Sequence, residues 1–215
     1  MFIALEGIDG SGKSTQTAFI VQWLETHGVA SEKILVTREH TRDGVFGIKI
    51  TKMLSGEMAP PAPLEFQKLY IQDRKDHLER VILPHMRDQD NVVICDRYFL
   101  STLAYGRAGG IAHEELMALH EKILGTEWVM PDITLLIDVS AETATARLQQ
   151  RDEGKPSNYF DTKKEFLQKA AVAYRDLAKM FSNVFIIDGE KPAEEVSRAI
   201  KSILTSQFSP CTKQS

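Results

Sequence analysis

Apolar residues along the chain fall into short consecutive runs, which alternate with longer segments where apolar and polar positions mix. A short run that is apolar on consecutive positions is typical of a strand buried on both faces of a sheet. Five such runs predict strands: Phe2–Leu5, Ile34–Thr37, Val92–Cys95, Ile133–Val139 and Val184–Asp188. The segments between them predict helices at Lys13–His27, Leu64–Arg87, Glu114–Leu124, Ala141–Gln150, Lys163–Phe181 and Pro192–Ser206.

This alternation predicts an α/β fold with a five-stranded parallel sheet, because parallel neighbours are joined by crossover helices. Right-handed crossovers cover both faces of the sheet with helices and place ligands at the carboxyl ends of the strands. A chain of 215 residues fits one folded domain, which we place at residues 1–207. The last residues, Phe208–Ser215, are predicted to form a frayed tail.

Net charge, cysteine content and hydropathy indicate which binding partners and which cellular compartment to expect. The formal net charge of −4 supplies no global attraction for nucleic acid, so we predict no nucleic-acid partner. Cys95 and Cys211 lie far apart without metal-ligand spacing, which favours a reducing compartment and argues against a disulfide framework or a zinc site. The sequence shows neither a signal peptide nor an apolar run long enough to span a bilayer, so we expect a cytoplasmic protein without membrane contact.

A complete P-loop motif, Gly-Ile-Asp-Gly-Ser-Gly-Lys-Ser, directly follows the first predicted strand at residues 7–14. Its glycines permit a tight turn whose backbone N–H groups point at a phosphate, at the positive end of the following helix. Lys13 neutralises β- and γ-phosphate oxygens, and Ser14 offers a hydroxyl to Mg²⁺. The predicted ATP-binding residues are Gly7, Ile8, Asp9, Gly10, Ser11, Gly12, Lys13, Ser14 and Thr15.

The P-loop alone does not distinguish kinases from GTPases or motor ATPases, which share the phosphate cradle. A GTPase needs an Asn-Lys-x-Asp segment to read its base, and the latter half of the chain has none. The Leu-Ser-Gly-Gly-Gln segment of ABC-type ATPases is also absent from the sequence.

Asp96 and Arg97 directly follow the third predicted strand, at the sheet edge that also carries the P-loop. Asp96 can hold Mg²⁺ directly or through a water, and the planar guanidinium of Arg97 suits phosphate oxygens. The alternative is a buried ion pair with a purely structural role.

Tyr70 and Arg74 are four residues apart in a predicted helix and therefore share one face. The ring can stack on a base while the guanidinium grips a phosphate. Core packing is the competing interpretation for a tyrosine on a helix face.

The segment Asp152–Asn158 joins two predicted helices and is surrounded by basic residues around a Gly-Lys-Pro sequence. This composition is typical of a mobile lid that faces a phosphate. A solvated surface loop is the alternative.

Five segments together resemble the thymidylate kinase family over nearly the whole chain: FIALEGIDGSGKSTQ at the start, TRE at Thr37–Glu39, LYIQDR at Leu69–Arg74, DRYFLSTLAY at Asp96–Tyr105 and PDITLLIDV at Pro131–Val139. The resemblance implies a P-loop NTPase fold of the nucleoside monophosphate kinase type, with a short lid near residues 147–161. It also implies a homodimer formed by helix packing, with ATP and dTMP as substrates.

The resemblance assigns roles by position. It implies that Arg74 and Arg97 grip the dTMP phosphate, that Asp9 lies near the transferred phosphoryl group and Mg²⁺, and that Tyr70 stacks on thymine. Five further residues match the positions that line the nucleotide pocket: Arg38, Glu39, Ser101, Thr102 and Tyr105.

The chain departs from the family pattern at three places near this pocket. His40-Thr41-Arg42 replaces the usual Pro-Gly-Gly, and Ile50 occupies the position of a basic residue for which Lys49 or Lys52 could compensate. Gly106 stands where many members have a glutamine that contacts the base, and this predicts a looser base pocket.

The fourth departure is in the lid, where the usual Asp-Arg-x-Glu aligns with Asn158-Tyr159-Phe160-Asp161. Because the P-loop itself carries no arginine, a lid cation must stabilise the charge of the transition state. Arg151 is the first candidate and completes the predicted catalytic set with Asp9, Lys13 and Arg97. Arg147 and Lys155 remain alternatives.

We therefore expect a kinase that transfers the γ-phosphoryl group of ATP to dTMP, giving ADP and dTDP for dTTP synthesis. The looser pocket at Gly106 motivates one alternative, a kinase of another or broader set of (deoxy)nucleoside monophosphates. A regulatory module that binds ATP without transferring phosphate is the alternative from a different class.

Overall fold

A parallel sheet of five strands in the order β2-β3-β1-β4-β5 lies at the centre of the molecule. The strands are β1 (Phe2–Glu6), β2 (Ile34–Arg38), β3 (Val92–Asp96), β4 (Ile133–Asp138) and β5 (Val184–Asp188). Every neighbouring pair is parallel, and the register sets Asp96 beside both Leu5 and Arg38. The predicted α/β fold with a five-stranded parallel sheet is thus confirmed in this computed structural model.

The structure describes residues 1–151 and 164–207, with the side chains of Glu127 and Arg151 excluded. Most of the predicted lid, including Lys155 and the segment 158–161, lies outside the described residues, as does the predicted tail. Helices in the described ranges are α1 (Lys13–Thr26), α2 (Val45–Leu54), α3 (Pro63–His77), α4 (Leu83–Met86), α5 (Phe99–Ala108), α6 (His113–Leu124), α7 (Ala141–Arg151), α8 (Lys164–Ala178) and α9 (Ala193–Gln207).

The stretch predicted as helical at Leu64–Arg87 is helical from Pro63 to Met86, but it is not one regular α-helix. Helix α3 ends at His77 and is followed by a π-helical segment, Leu78–Ile82, in which the Leu83 N–H bonds to the Leu78 carbonyl. Pro84 at the start of α4 explains the change, because its ring removes one N–H from the regular α-helical ladder.

Two helices near the site, α2 and α5, carried no recognisable sequence signal. Helix α5 begins directly after the end of β3, and its N-terminal cap comes from Glu6 at the end of β1. Glu6 Oε1 accepts the backbone N–H groups of Tyr98 (2.9 Å) and Ser101 (3.1 Å). A cap from so distant a residue satisfies the helix but leaves no local pattern.

Residues of the central strand alternate between two apolar layers. Phe2 and Ala4 pack with side chains from α3, α5, α6 and α8, whereas Ile3 and Leu5 pack with side chains from α1 and α9. This packing fixes β1 between two layers of helices and holds the P-loop at its carboxyl end. None of the described helices is long and apolar enough to cross a membrane.

Candidate functional site

The P-loop runs from the end of β1 to the first turn of α1, and two of its glycines are required by close contacts. Gly7 and Gly10 have φ angles of 135° and 84°, a region that favours glycine. A Cβ atom on Gly7 would lie 2.5 Å from the Ile137 carbonyl oxygen, and one on Gly10 would lie 2.4 Å from the Ala144 carbonyl oxygen. The loop is therefore wedged between the end of β4 and helix α7.

Lys13 is buried beneath the loop, where its Nζ donates to the carbonyl oxygens of Gly7 and Ile8 at 3.1 Å each. Burial lowers the pKa of its ammonium group, as does the nearby Arg97, while Asp96 and Asp9 act in the opposite direction. A desolvated ammonium group at the start of α1 is a strong point charge for an anion. Ser14 and Thr15, in the same turn, are exposed.

A cavity opens beside the P-loop, against α3 and α5. It brings together all eight residues predicted to bind the second substrate: Arg38, Glu39, Tyr70, Arg74, Arg97, Ser101, Thr102 and Tyr105. Asp9, His40, Leu54, Gln67 and Tyr98 also line it. Gln67 could have been found from the sequence, because it lies on the same face of α3 as Tyr70 and Arg74.

Arg97 links this cavity to the P-loop. Its guanidinium donates to Asp9, to Ser101 Oγ (3.1 Å) and to Tyr174 OH (3.2 Å). Its φ of 71° lies in the left-handed region, which is uncommon for a residue with a side chain and often marks a functional site. The strained backbone turns Arg97 from the end of β3 towards the P-loop.

A buried carboxylate, Glu6, supports Arg97 from behind. Glu6 Oε2 accepts hydrogen bonds from Ser101 Oγ at 2.5 Å and from Tyr174 OH at 3.1 Å. Both hydroxyls can donate to Glu6 and turn lone pairs towards Arg97. Burial raises the pKa of Glu6, against the lowering effects of the Ser101 hydrogen bond and Arg97.

Sequence reasoning missed both supporting residues, Glu6 and Tyr174. A charged residue at the end of an otherwise apolar strand was the available signal for Glu6. Tyr174 gave no such signal, because the sequence around it in α8 is that of an ordinary core tyrosine on a helix.

Arg74 lies fully buried in the cavity wall, and its guanidinium is already heavily engaged. Nε donates to Glu39 Oε2 (2.8 Å), Nη2 to Thr102 Oγ1 (3.1 Å) and Nη1 to His120 Nε2 (2.9 Å), and Nη2 also forms an ion pair with Glu39 Oε2 at 2.6 Å. A guanidinium has five N–H donors. Nε, Nη1 and Nη2 each donate one hydrogen bond in the described part of the chain, so Nη1 keeps a second N–H for a ligand.

His40 and Tyr70 meet at the cavity wall, with ring centroids 5.9 Å apart in an edge-to-face arrangement. Burial lowers the pKa of His40 to about 4, and Arg38 and Arg42 add to the effect. His40 is therefore neutral near pH 7. Its Nε2 lies 3.1 Å from Thr51 Oγ1, which ties the cavity wall to α2.

Two places in the described residues could hold a cation: Asp96, and a cluster of Glu39, His77 and Cys95. Asp96 Oδ1 is buried without a hydrogen-bond partner among the described residues, so it has acceptor capacity for Mg²⁺ or a metal-bound water. Glu39, His77 and Cys95 also place ligand atoms within 4.8 Å of one another. Hydrogen bonds already engage them, including Thr37 on His77 at 2.7 Å and Cys95 on the Arg97 carbonyl at 3.0 Å. Asp96 therefore suits a magnesium ion better than this cluster does.

Comparisons with known proteins agree with this arrangement. A protein-family model described as thymidylate kinase matches residues 5–200. The chain belongs to the thymidylate kinase family. A probable thymidylate kinase of Pyrococcus abyssi is 34% identical over 207 residues, covering 94% of this chain and 95% of that protein. A thymidylate kinase of Thermosipho africanus is 36% identical over 208 residues, covering 95% and 97%. One of Pelobacter propionicus is 34% identical over 205 residues, covering 93% and 91%.

Two departures from the family pattern have structural explanations. Asp73 on α3 accepts hydrogen bonds from Thr41 N (2.7 Å) and Thr41 Oγ1 (2.6 Å), so the His40-Thr41-Arg42 segment is clamped without the usual glycines. Ile50 is fully buried with Met53 and Phe66 and serves the contact between α2 and α3. An exposed basic residue would not suit that position.

Gly106 lies against α6, and the looser base pocket expected from the sequence stays a prediction. Gly106 is absent from the described residues that line the cavity. A Cβ atom at this position would lie 2.7 and 2.8 Å from the two Cδ atoms of Leu116. Gly106 therefore permits α5 to approach α6, and a larger residue there would require the Leu116 side chain to move.

Replacement of Gly106 by glutamine is accordingly expected to lower the free energy of unfolding by about 1–3 kcal/mol, through overpacking against buried Leu116. Urea denaturation measures the loss. The loss should shrink when Leu116→Ala is the reference background, because the smaller side chain opens space. If the midpoint of urea denaturation is unchanged and the KM for dTMP falls, residue 106 contacts the base and not α6.

Helix α7 carries two arginines, Arg147 and Arg151, either of which could supply the predicted lid charge. Arg147 is half-buried and donates from Nη2 to the Gly189 carbonyl at 3.0 Å and from Nη1 to the Ser11 carbonyl at 3.5 Å. Its guanidinium thus touches the outer side of the P-loop. Arg151 ends the helix, and its side chain lies outside the described residues.

Proposed function

We propose that the protein phosphorylates dTMP, with ATP bound at the P-loop and dTMP bound in the cavity lined by α3 and α5. Membership of the thymidylate kinase family supports ATP-dependent phosphorylation of dTMP to dTDP. The contacts of Arg97 support two adjacent nucleotide sites. Its guanidinium donates to Asp9 of the P-loop and to Ser101 of the cavity wall.

The reaction transfers the γ-phosphoryl group directly between two nucleotides. An oxygen of the dTMP phosphate forms a bond to the γ-phosphorus, the bond to the bridging β–γ oxygen breaks, and ADP leaves. Positioning and charge stabilisation supply most of the catalysis in such transfers. Lys13 and the loop N–H groups would hold the donor phosphates, and Arg97 would orient the acceptor phosphate beside them.

The remaining side chains of the cavity suit a nucleoside. Tyr70 would stack on the base, with His40 and Phe66 holding its ring edge-on. Nη1 of Arg74 has one N–H beyond its bond to His120, so we expect it to contact a single acceptor atom of the nucleotide; a two-donor grip on the phosphate would also need Nη2, which pairs with Glu39. The other pocket roles, for Arg38, Glu39, Thr102 and Tyr105, stay predictions.

Mg²⁺, when bound, would neutralise charge on the β- and γ-phosphates. We expect Ser14 and Asp96 to hold the ion, directly or through water. The homodimer, the cytoplasmic location and the lack of a nucleic-acid partner also stay predictions from the sequence.

A substrate panel tests the function. ADP release is measured with ATP and Mg²⁺ against dTMP, dUMP, dCMP, UMP, dGMP and thymidine, and dTMP is expected to give the highest kcat/KM. Gly106 packs against Leu116 of α6, and the broader range of nucleotides that it motivated stays an alternative that the panel tests. Higher kcat/KM with another monophosphate would overturn the choice of dTMP, and ATP binding without turnover on the whole panel would favour a regulatory module.

A further inference from the structure

Behind the cavity wall, helix α6 contributes a buried histidine that no motif in the sequence singled out. His120 is fully buried, and its two ring nitrogens have different partners. Nδ1 lies 2.7 Å from the Leu116 carbonyl oxygen, and Nε2 lies 2.9 Å from Nη1 of Arg74. The residue therefore sits one contact away from the nucleotide pocket.

These partners fix the protonation state of the ring. A carbonyl oxygen can only accept, so Nδ1 carries the proton; a guanidinium can only donate, so Nε2 carries the lone pair. Burial lowers the pKa of His120 to about 3, and the charge of Arg74 adds to the effect. Trp128 stacks on the ring with centroids 5.4 Å apart and an interplanar angle of 25°, which further limits its rotation.

His120 completes a set of acceptors that surrounds Arg74. Glu39 accepts from Nε and forms an ion pair with Nη2, Thr102 accepts from Nη2 and His120 accepts from Nη1, while the centroid of the Tyr98 ring lies 4.8 Å from the guanidinium carbon. The second N–H of Nη1 belongs to a side chain that lines the cavity. Because both hydrogens of Nη1 lie in the guanidinium plane, an acceptor on one sets the direction of the other.

We propose that His120 is a positioning residue, which turns the remaining Nη1 N–H of Arg74 into the cavity to bind one acceptor oxygen of the nucleoside monophosphate. This inference rests on the proposed function, since it needs the cavity to be the monophosphate site. His120 itself touches no substrate. Its contribution is expected in the binding of dTMP and not in the binding of ATP.

Two substitutions separate the contacts of the ring. His120→Asn keeps an N–H donor near the Nδ1 position for Leu116 but offers nothing at the Nε2 position. His120→Gln is longer and can place its carbonyl oxygen where Nε2 accepts from Arg74. His120→Asn is expected to raise the KM for dTMP about tenfold, the size of one charge-assisted hydrogen bond, with KM for ATP unchanged and kcat within about threefold. His120→Gln should recover most of that loss.

His85 supplies a matched control, because its Nε2 bonds to the Lys33 carbonyl at 3.1 Å, outside the cavity. Neither His85→Asn nor His85→Gln should change the KM for dTMP. Thermal melts accompany all four variants. If His120→Asn does not fold, His120→Leu removes the acceptor while keeping apolar volume, and the same rise in KM is expected.

An unchanged KM for dTMP in the variants without the acceptor would overturn the inference. So would equal rises in both KM values with Gln no better than Asn, since that pattern indicates only a scaffold role. A wild-type protein that does not phosphorylate dTMP would overturn the proposed function instead. The Asn and Gln variants would then be compared by calorimetry with the nucleotide that the substrate panel identifies.

Discussion

Replacement of Lys13 by methionine is expected to lower kcat about 10³-fold. One preorganised donor at a reacting centre is worth about 10²–10³ in rate, and a lysine ammonium adds a full charge to its hydrogen bonds. Lys13 is buried, and Arg97 is the next contributor to its lowered pKa, so the site concentrates positive charge where phosphate charge develops. Steady-state ADP release with dTMP measures the effect.

The same substitution should not destabilise the fold. Burial lowers the pKa of Lys13, which means that the charged form is costly in the folded protein, and methionine has a similar volume without charge. A melting temperature equal to or above that of the wild type is therefore expected. Lys201→Met, on the exposed side of α9, serves as the control. A Lys13→Met enzyme with kcat within tenfold of the wild type would contradict the assignment.

The parts of the site that the sequence predicted are those built from consecutive residues. The P-loop needs its glycines, Lys13 and Ser14 at fixed spacing along one turn, so a short stretch of sequence is enough to identify the phosphate site. Arg97 follows a recognisable strand, and Tyr70 and Arg74 share one face of a single helix. For such residues the period of the secondary structure is enough to predict which side chains share a cavity.

The parts that the sequence did not predict depend on contacts between distant elements. Glu6 caps α5 from another strand, and Tyr174 reaches Arg97 from α8. The contact of Gly106 with Leu116, on the next helix, could not be predicted from the local sequence pattern. His120 was missed for the same reason, since its position in α6 differs little from any other core position.

Replacement of Arg151 by alanine is expected to lower kcat by about 10³–10⁵-fold, the range for an arginine that stabilises transition-state charge in phosphoryl transfer. The P-loop has no arginine, so this charge must come from elsewhere. Helix α7 is well placed to supply it, because the Ala144 carbonyl oxygen would lie only 2.4 Å from a Cβ atom on Gly10. Positions 144, 147 and 151 recur at helical spacing on one face, so residue 151 follows the P-loop contact by two turns.

Arg147→Ala is the matched control, because it removes the same charge one turn earlier on the same helix. Arg147 already donates to the Gly189 and Ser11 carbonyls, so its loss should weaken ATP binding and raise the KM for ATP more than it lowers kcat. Arg151→Ala should show the opposite split, with a large fall in kcat and a modest change in KM. If Arg147→Ala carries the fall in kcat instead, the transition-state charge comes from the arginine that touches the P-loop backbone, and Arg151 loses its catalytic role.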